Sequence, residues 1–187
     1  MKAAVFYEPH DIRVEDVPEP TIAEDEVLVE VAACGFCGSD VEYYYGKSPV
    51  GTADGKGPLV LGHEFSGKVV GLGKIAGTYG LQEGDRVAVC PIQSCGACNS
   101  CRAGKPQFCA NLAVLGVTTD GGFAQFAKTK AAHAYKLPDS FTDEQGAFAF
   151  ESLRSHNVSL WAVPTERRHI DLPVVLQARR TVARAVR

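Results

Sequence analysis

Apolar positions recur along the first four fifths of this chain in short runs with a period of two, and glycines close many of the runs. Val27, Val29 and Val31 alternate with Leu28, Glu30 and Ala32, a β-branched pattern that predicts a half-buried strand. Val69 with Val70, Val87 with Val89, and Phe123 with Phe126 sit in further short runs bounded by glycines. Many short strands separated by glycine turns predict a mainly β, barrel-like core. About 150 residues of this character suffice to bury a core, and a domain of that size buries roughly 70% of its unfolded surface. No apolar run approaches the ~18 residues of a membrane span.

One glycine pattern imitates a nucleotide-binding signature. Val69, Val70, Gly71, Leu72 and Gly73 begin like G-x-G-x-x-G, but Gly77 falls one residue late and no helical pattern follows. The segment reads as a hairpin turn leading into Glu83–Val87.

The pattern changes abruptly near Arg154. All 19 glycines lie at or before Gly146, while residues 154–187 carry seven arginines, no lysine and only two acids, Glu166 and Asp171. Residues 1–153 are therefore net −8 and the tail net +5, which together give the chain's −3. Such a shift marks a boundary, with a domain at 1–153 and a divergent arginine-rich tail at 154–187. Three accounts of the tail are open. It is translated out of frame; or it is a basic interaction segment in which Leu176, Ala178, Val182 and Val186 form one face of a short amphipathic helix; or it is disordered. Scattered arginines with Trp161 as the tail's one aromatic do not make a nucleic-acid module, so no nucleic-acid partner is expected.

Chemistry enters with the cysteines. Cys95, Cys98, Cys101 and Cys109 read C-x2-C-x2-C-x7-C. Four thiolates at this spacing complete a tetrahedral shell with no open position, the pattern of a structural zinc. An iron–sulfur cluster is the rival, but bacterial ferredoxins place the fourth cysteine after three residues and before proline, whereas Cys109 follows after seven and precedes Ala110. Disulfides would need an oxidising compartment, and the segment MKAAVFYEP is not a signal peptide. A cytoplasmic protein with reduced cysteines is expected. Cys37, His63 and Glu64 form a second, mixed set, and three protein ligands plus water is the catalytic zinc pattern. Taken singly, Cys37 would read as a small buried hydrophobe and His63 as a core histidine. Cys34 and Cys90 are assigned to no metal.

The ordered motifs GFCGSD (35–40), LGHE (61–64), EGDRV (83–87), CGACNSC (95–101), DGGFAQF (120–126) and KLPD (136–139) resemble the N-terminal catalytic domain of zinc-dependent medium-chain alcohol and polyol dehydrogenases, in the sorbitol, butanediol and threonine dehydrogenase branch. The resemblance covers roughly residues 1–153. It implies a GroES-like fold with a cysteine-rich zinc lobe and a few short helices, and two zinc ions. Cys37 and His63 would bind the catalytic zinc, Glu64 would be an adjacent or exchanging ligand, and Glu151 of FESL would stand where the polyol branch has its third ligand, although Ser152 replaces the family's proline. Asp40 would orient His63 from the outer shell, and Ser39 would relay the proton leaving the substrate; outside the family context Ser39 reads as a turn residue. Tyr43, Tyr44 and Tyr45 are candidates for lining a pocket.

The resemblance further implies oxidation of a small alcohol or polyol with transfer of hydride to NAD(P). Family members are roughly twice this length because a Rossmann domain carrying the cofactor follows. No such domain is expected within these 187 residues, so the competing expectation is a zinc-binding domain or interaction module without catalysis.

Overall fold

The computed structural model describes residues 1–148, so Glu151 and the tail at 154–187 lie outside the described residues. Strands β1 (Lys2–Glu8) and β2 (Asp11–Asp16) form a hairpin, and β3 (Glu26–Gly35) is the longest strand. Its valines behave as the alternation predicts: Val27, Val29 and Val31 are buried, while Glu30 and Ala32 are exposed. Helix α1 (Gly38–Tyr44) follows, then β4 (Leu59–Val60), β5 (Glu64–Leu72), β6 (Arg86–Val89) and β7 (Ile92–Gln93). Helix α2 (Asn99–Arg102) lies in the cysteine-rich segment. The described chain closes with β8 (Ala113–Val114), β9 (Phe126–Lys130), β10 (Ala134–Lys136) and α3 (Asp143–Phe148).

All named strand pairs are antiparallel, in sheets of order β2-β1-β4, β10-β6-β5-β3-β9 and β7-β8. The two larger sheets are stitched by residues 123–125. Ala4 N–H donates to Phe123 O at 2.8 Å, Gln125 N–H to Lys2 O at 3.0 Å, and Val31 N–H to Gln125 O at 2.9 Å. The result is a curled, barrel-like body. Its larger core gathers Val27, Val29, Phe65, Val69, Val87 and Val89, and a second core gathers Phe6, Tyr43, Val50, Leu61 and Phe123. Cys34 touches both.

The glycine pair at 71 and 73 closes β5 as expected of a turn. The connection to β6 is longer than a tight hairpin and contains a 3-10 turn at Ala76–Tyr79. No helix among the described residues is long and apolar enough to cross a membrane.

Candidate metal centres

The backbone brings GFCGSD and LGHE together because β3 and β5 pair up to their ends, where Gly35 lies opposite Glu64. Cys37 sits in extended conformation at the N-cap of α1, just beyond the end of β3. Leu61, Gly62 and His63 form the approach to β5 and are held from behind by the DGGF segment. Gly121 N–H donates to Val60 O (2.8 Å), Gly122 N–H to Gly62 O (2.7 Å) and Phe123 N–H to Leu61 O (2.9 Å), and Asp120 Oδ1 accepts from Val60 N–H (3.0 Å). Gly62 has φ +90°, and a Cβ there would stand 2.7 Å from the Phe123 ring and 2.9 Å from Cys34 Sγ. Only glycine fits so crowded a left-handed position.

In this frame Cys37, His63 and Glu64 each offer a ligand atom within 4.8 Å of the others. Ser39 Oγ lies 3.3 Å from His63 Nε2. On the other side of the ring, Asp40 Oδ1 lies 3.6 Å from Nδ1. Asp40 is 1% exposed, and its Oδ2 accepts from Cys37 N–H at 2.9 Å. Burial raises the Asp40 carboxyl above its ordinary range, while His63 and the N–H groups of Cys37 and Gly62 pull it back down. Asp40 Oδ1 and His63 Nδ1 are both buried without a hydrogen-bond partner, and they face one another. An unsatisfied pair of this kind is costly by itself. It becomes a ready orienting contact once Nε2 has an electrophile to face. The donor set thus fits a borderline cation such as zinc.

The second set is a lobe carried between β7 and β8, which pair at Ile92↔Val114 and Gln93↔Ala113. Its four sulfurs, of Cys95, Cys98, Cys101 and Cys109, all lie within 4.8 Å of one another. Sulfurs bound to one zinc at ~2.3 Å stand about 3.8 Å apart, a spacing that lies within the limit these four sulfurs keep. Backbone amides already face the sulfurs: Cys95 N–H donates to Cys109 Sγ at 3.3 Å and Cys98 N–H to Cys95 Sγ at 3.4 Å. The thiols hold protons unequally. The N–H groups of Ala97 and Cys98 pull Cys95 down to about 6, and those of Ala110 and Cys101 lower Cys98. Burial, then the Cys98 and Cys109 thiols, push Cys101 up to about 12. Four adjacent thiols cannot all ionise without a cation among them; a bound metal deprotonates them outright.

Cys34 stands apart from both sets. Burial holds its thiol well above the usual range, and its Sγ packs against Gly62. Cys90 is buried in the barrel. Tyr43 belongs to the second core, whereas Tyr44 and Tyr45 pack edge-to-face with each other and with His10. Sequence reading missed the strut formed by Gly116, Gly121 and Gly122 behind Gly62. The spacing of DGG in the motif was its only trace.

Comparison with known proteins fits this geometry. Residues 23–139 match the alcohol dehydrogenase GroES-like domain. The starvation-sensing protein RspB of Escherichia coli K12 is 38% identical over 166 residues, covering 89% of this chain and 47% of that protein. Sorbitol dehydrogenase of Bacillus subtilis is 37% identical over 148 residues, covering 79% and 41%. An alcohol dehydrogenase from Escherichia coli CFT073, solved in complex with NADH, superimposes with TM-score 0.68 at 38% identity, covering 79% of this chain and 41% of that one. The chain thus spans less than half the length of these relatives. It belongs to the alcohol dehydrogenase GroES-like domain family, and the relatives it matches include sorbitol dehydrogenases and L-threonine 3-dehydrogenases.

Proposed function

We propose that this chain is the metal-binding catalytic portion of a zinc-dependent, NAD(P)-linked dehydrogenase of small alcohols or polyols, acting in the cytoplasm. The observation that carries the reading is the arrangement about His63, with Cys37 and Glu64 beside it, Ser39 on Nε2 and Asp40 on Nδ1. When bound there, zinc supplies Lewis acidity that lowers the pKa of a coordinated hydroxyl. The chain's own residues do the rest. Cys37 and His63 hold the metal, with Glu64 as adjacent or exchanging ligand, and Glu151 is proposed as the third ligand from outside the described residues. Asp40 fixes the imidazole's orientation and tautomer. The Ser39 hydroxyl, beside Nε2, relays the proton leaving the alcohol, accepting it on Oγ while passing its own hydroxyl proton on toward solvent. Cys95, Cys98, Cys101 and Cys109 are proposed to hold a second, structural zinc.

The composition of residues 147–187 favours a second reading. Without a glycine after Gly146, the residues beyond a boundary we place near Arg154 hold no dinucleotide fingerprint. On this reading the chain is a zinc-binding domain that requires a separate cofactor domain for turnover. Adding NAD+ to the zinc-loaded chain separates the two. A rise in melting temperature that depends on NAD+ concentration supports a catalytic portion that itself engages the cofactor, and no shift supports the zinc-binding domain alone.

A further inference from the structure

Between Gln93 and Leu115 the cysteine lobe buries one residue only, Cys109. With no apolar core of its own, the lobe depends on its metal for internal order and on its base for its placement. That base contains a buried polar group whose presence the barrel's packing does not explain. Gln93, two residues before Cys95, is 5% exposed, and its side-chain amide is engaged at both ends. Nε2 donates to Cys90 O at 2.5 Å, and Oε1 accepts from Thr129 Oγ1 at 3.3 Å and from Lys130 N–H at 3.1 Å. Thr129 is itself 2% exposed on β9. One residue further on, His133 Nε2 lies 3.2 Å from Ser94 O, a carbonyl that can only accept, so this nitrogen carries the proton. A cleft of about 150 Å³ lined by Ser94, Cys95, Lys130 and His133 opens beside these contacts.

We infer that Gln93, backed by Thr129, is a positioning residue for the four-cysteine site, a buried amide clamp that fixes the strand delivering Cys95 to the rim of the barrel. This inference rests on the reading of the lobe as a zinc site. The sequence offers no signal for it, since a glutamine beside a cysteine cluster has no motif value. The clamp acts at the approach to Cys95, whereas the exit from Cys109 is tied separately, by the two-residue pairing of β8 with β7 and by Leu115, which is buried in the larger core and donates its N–H to Pro91 O at 3.0 Å. Loosening it frees the first ligand of the shell relative to the other three.

The test uses the full 187-residue chain loaded with zinc, and a parallel cobalt-substituted sample in the Cys37→Ser background, whose thiolate-to-metal charge-transfer band then reports the four-cysteine shell. Gln93→Leu keeps the side chain's bulk and removes its three hydrogen bonds. The expected result is zinc release from the four-cysteine site to a chelator on the order of tenfold faster than in the parent, as is usual for outer-shell partners, with a weakened or shifted band. Release of the zinc at Cys37 and His63 stays at the parental rate. Gln93→Glu, which keeps both acceptor contacts, falls between the two. Thr129→Val gives the same direction with smaller size and serves where Gln93→Leu does not fold. Parental release and an unchanged band in both variants, even with a lowered melting temperature, overturn the clamp and leave Gln93 as ordinary packing. A parent chain without any thiolate–cobalt band overturns the metal reading itself.

Discussion

At the scale of single residues, the ligand types were legible in the sequence and their support was not. Cysteine and histidine at family spacing announce metal chemistry, and the structure does bring Cys37, His63 and Glu64 within reach of one ion. Substituting Cys37 by serine is expected to remove one zinc of two while the four-cysteine site keeps its own, measured as metal per chain; retention of both metals contradicts the assignment. Gly62 carries as much of the site as any ligand. Its φ of +90° and the 2.7 Å approach to Phe123 leave no room for a methyl group. Gly62→Ala is expected to lower stability by about 1–3 kcal/mol, the range for a strained backbone position. An unchanged urea midpoint would contradict that account. A sequence shows that residue 62 is glycine. It does not show that Phe123, about sixty positions away, is the reason, because that contact exists only after the sheets have closed.

At the scale of elements, the valine alternation fixed β3 in advance, and the Arg86 of EGDRV shows what a motif can hide. Its guanidinium donates to Asp143 Oδ1 at 2.9 and 2.8 Å and to Phe141 O at 2.7 Å, tying the start of α3 to β6. Ser66 Oγ donates to Asp143 O from β5, and Gly146 packs so closely that a Cβ would meet Leu137 at 2.5 Å. Among the described residues helix α3 covers six, and an isolated helix of that length does not persist in water without such docking. Arg86→Met should therefore speed amide exchange in α3 while costing the whole domain only about 1 kcal/mol, because the ion pair is a third exposed. Exchange at the parental rate would show that apolar packing alone holds the helix. The cysteine lobe is the opposite case, an element with almost no packing. Chelation of its metal should expose the Arg102–Ala103 bond to trypsin while β3, β5 and β6 stay resistant. Equal protection with and without metal would contradict a structural role for the ion.

At the scale of the whole molecule, two physical facts pull in different directions. The described body has two hydrophobic cores and two candidate metal centres, all built from contacts made within residues 1–148. Its relatives are more than twice as long as the segment they share with it. The composition break near Arg154 was plain from the sequence, because loss of glycine and gain of arginine need no structure to be seen. The consequence of that break for Glu151 was not, since the aim of one carboxylate depends on local backbone. Zinc per chain, determined by plasma mass spectrometry on freshly purified protein desalted without chelator, tests the central claim most directly. The account predicts a value near two, with both centres assembled in the chain as it stands. A value near zero would contradict it, because neither the four thiols nor the group around His63 would then be the metal site that their geometry describes.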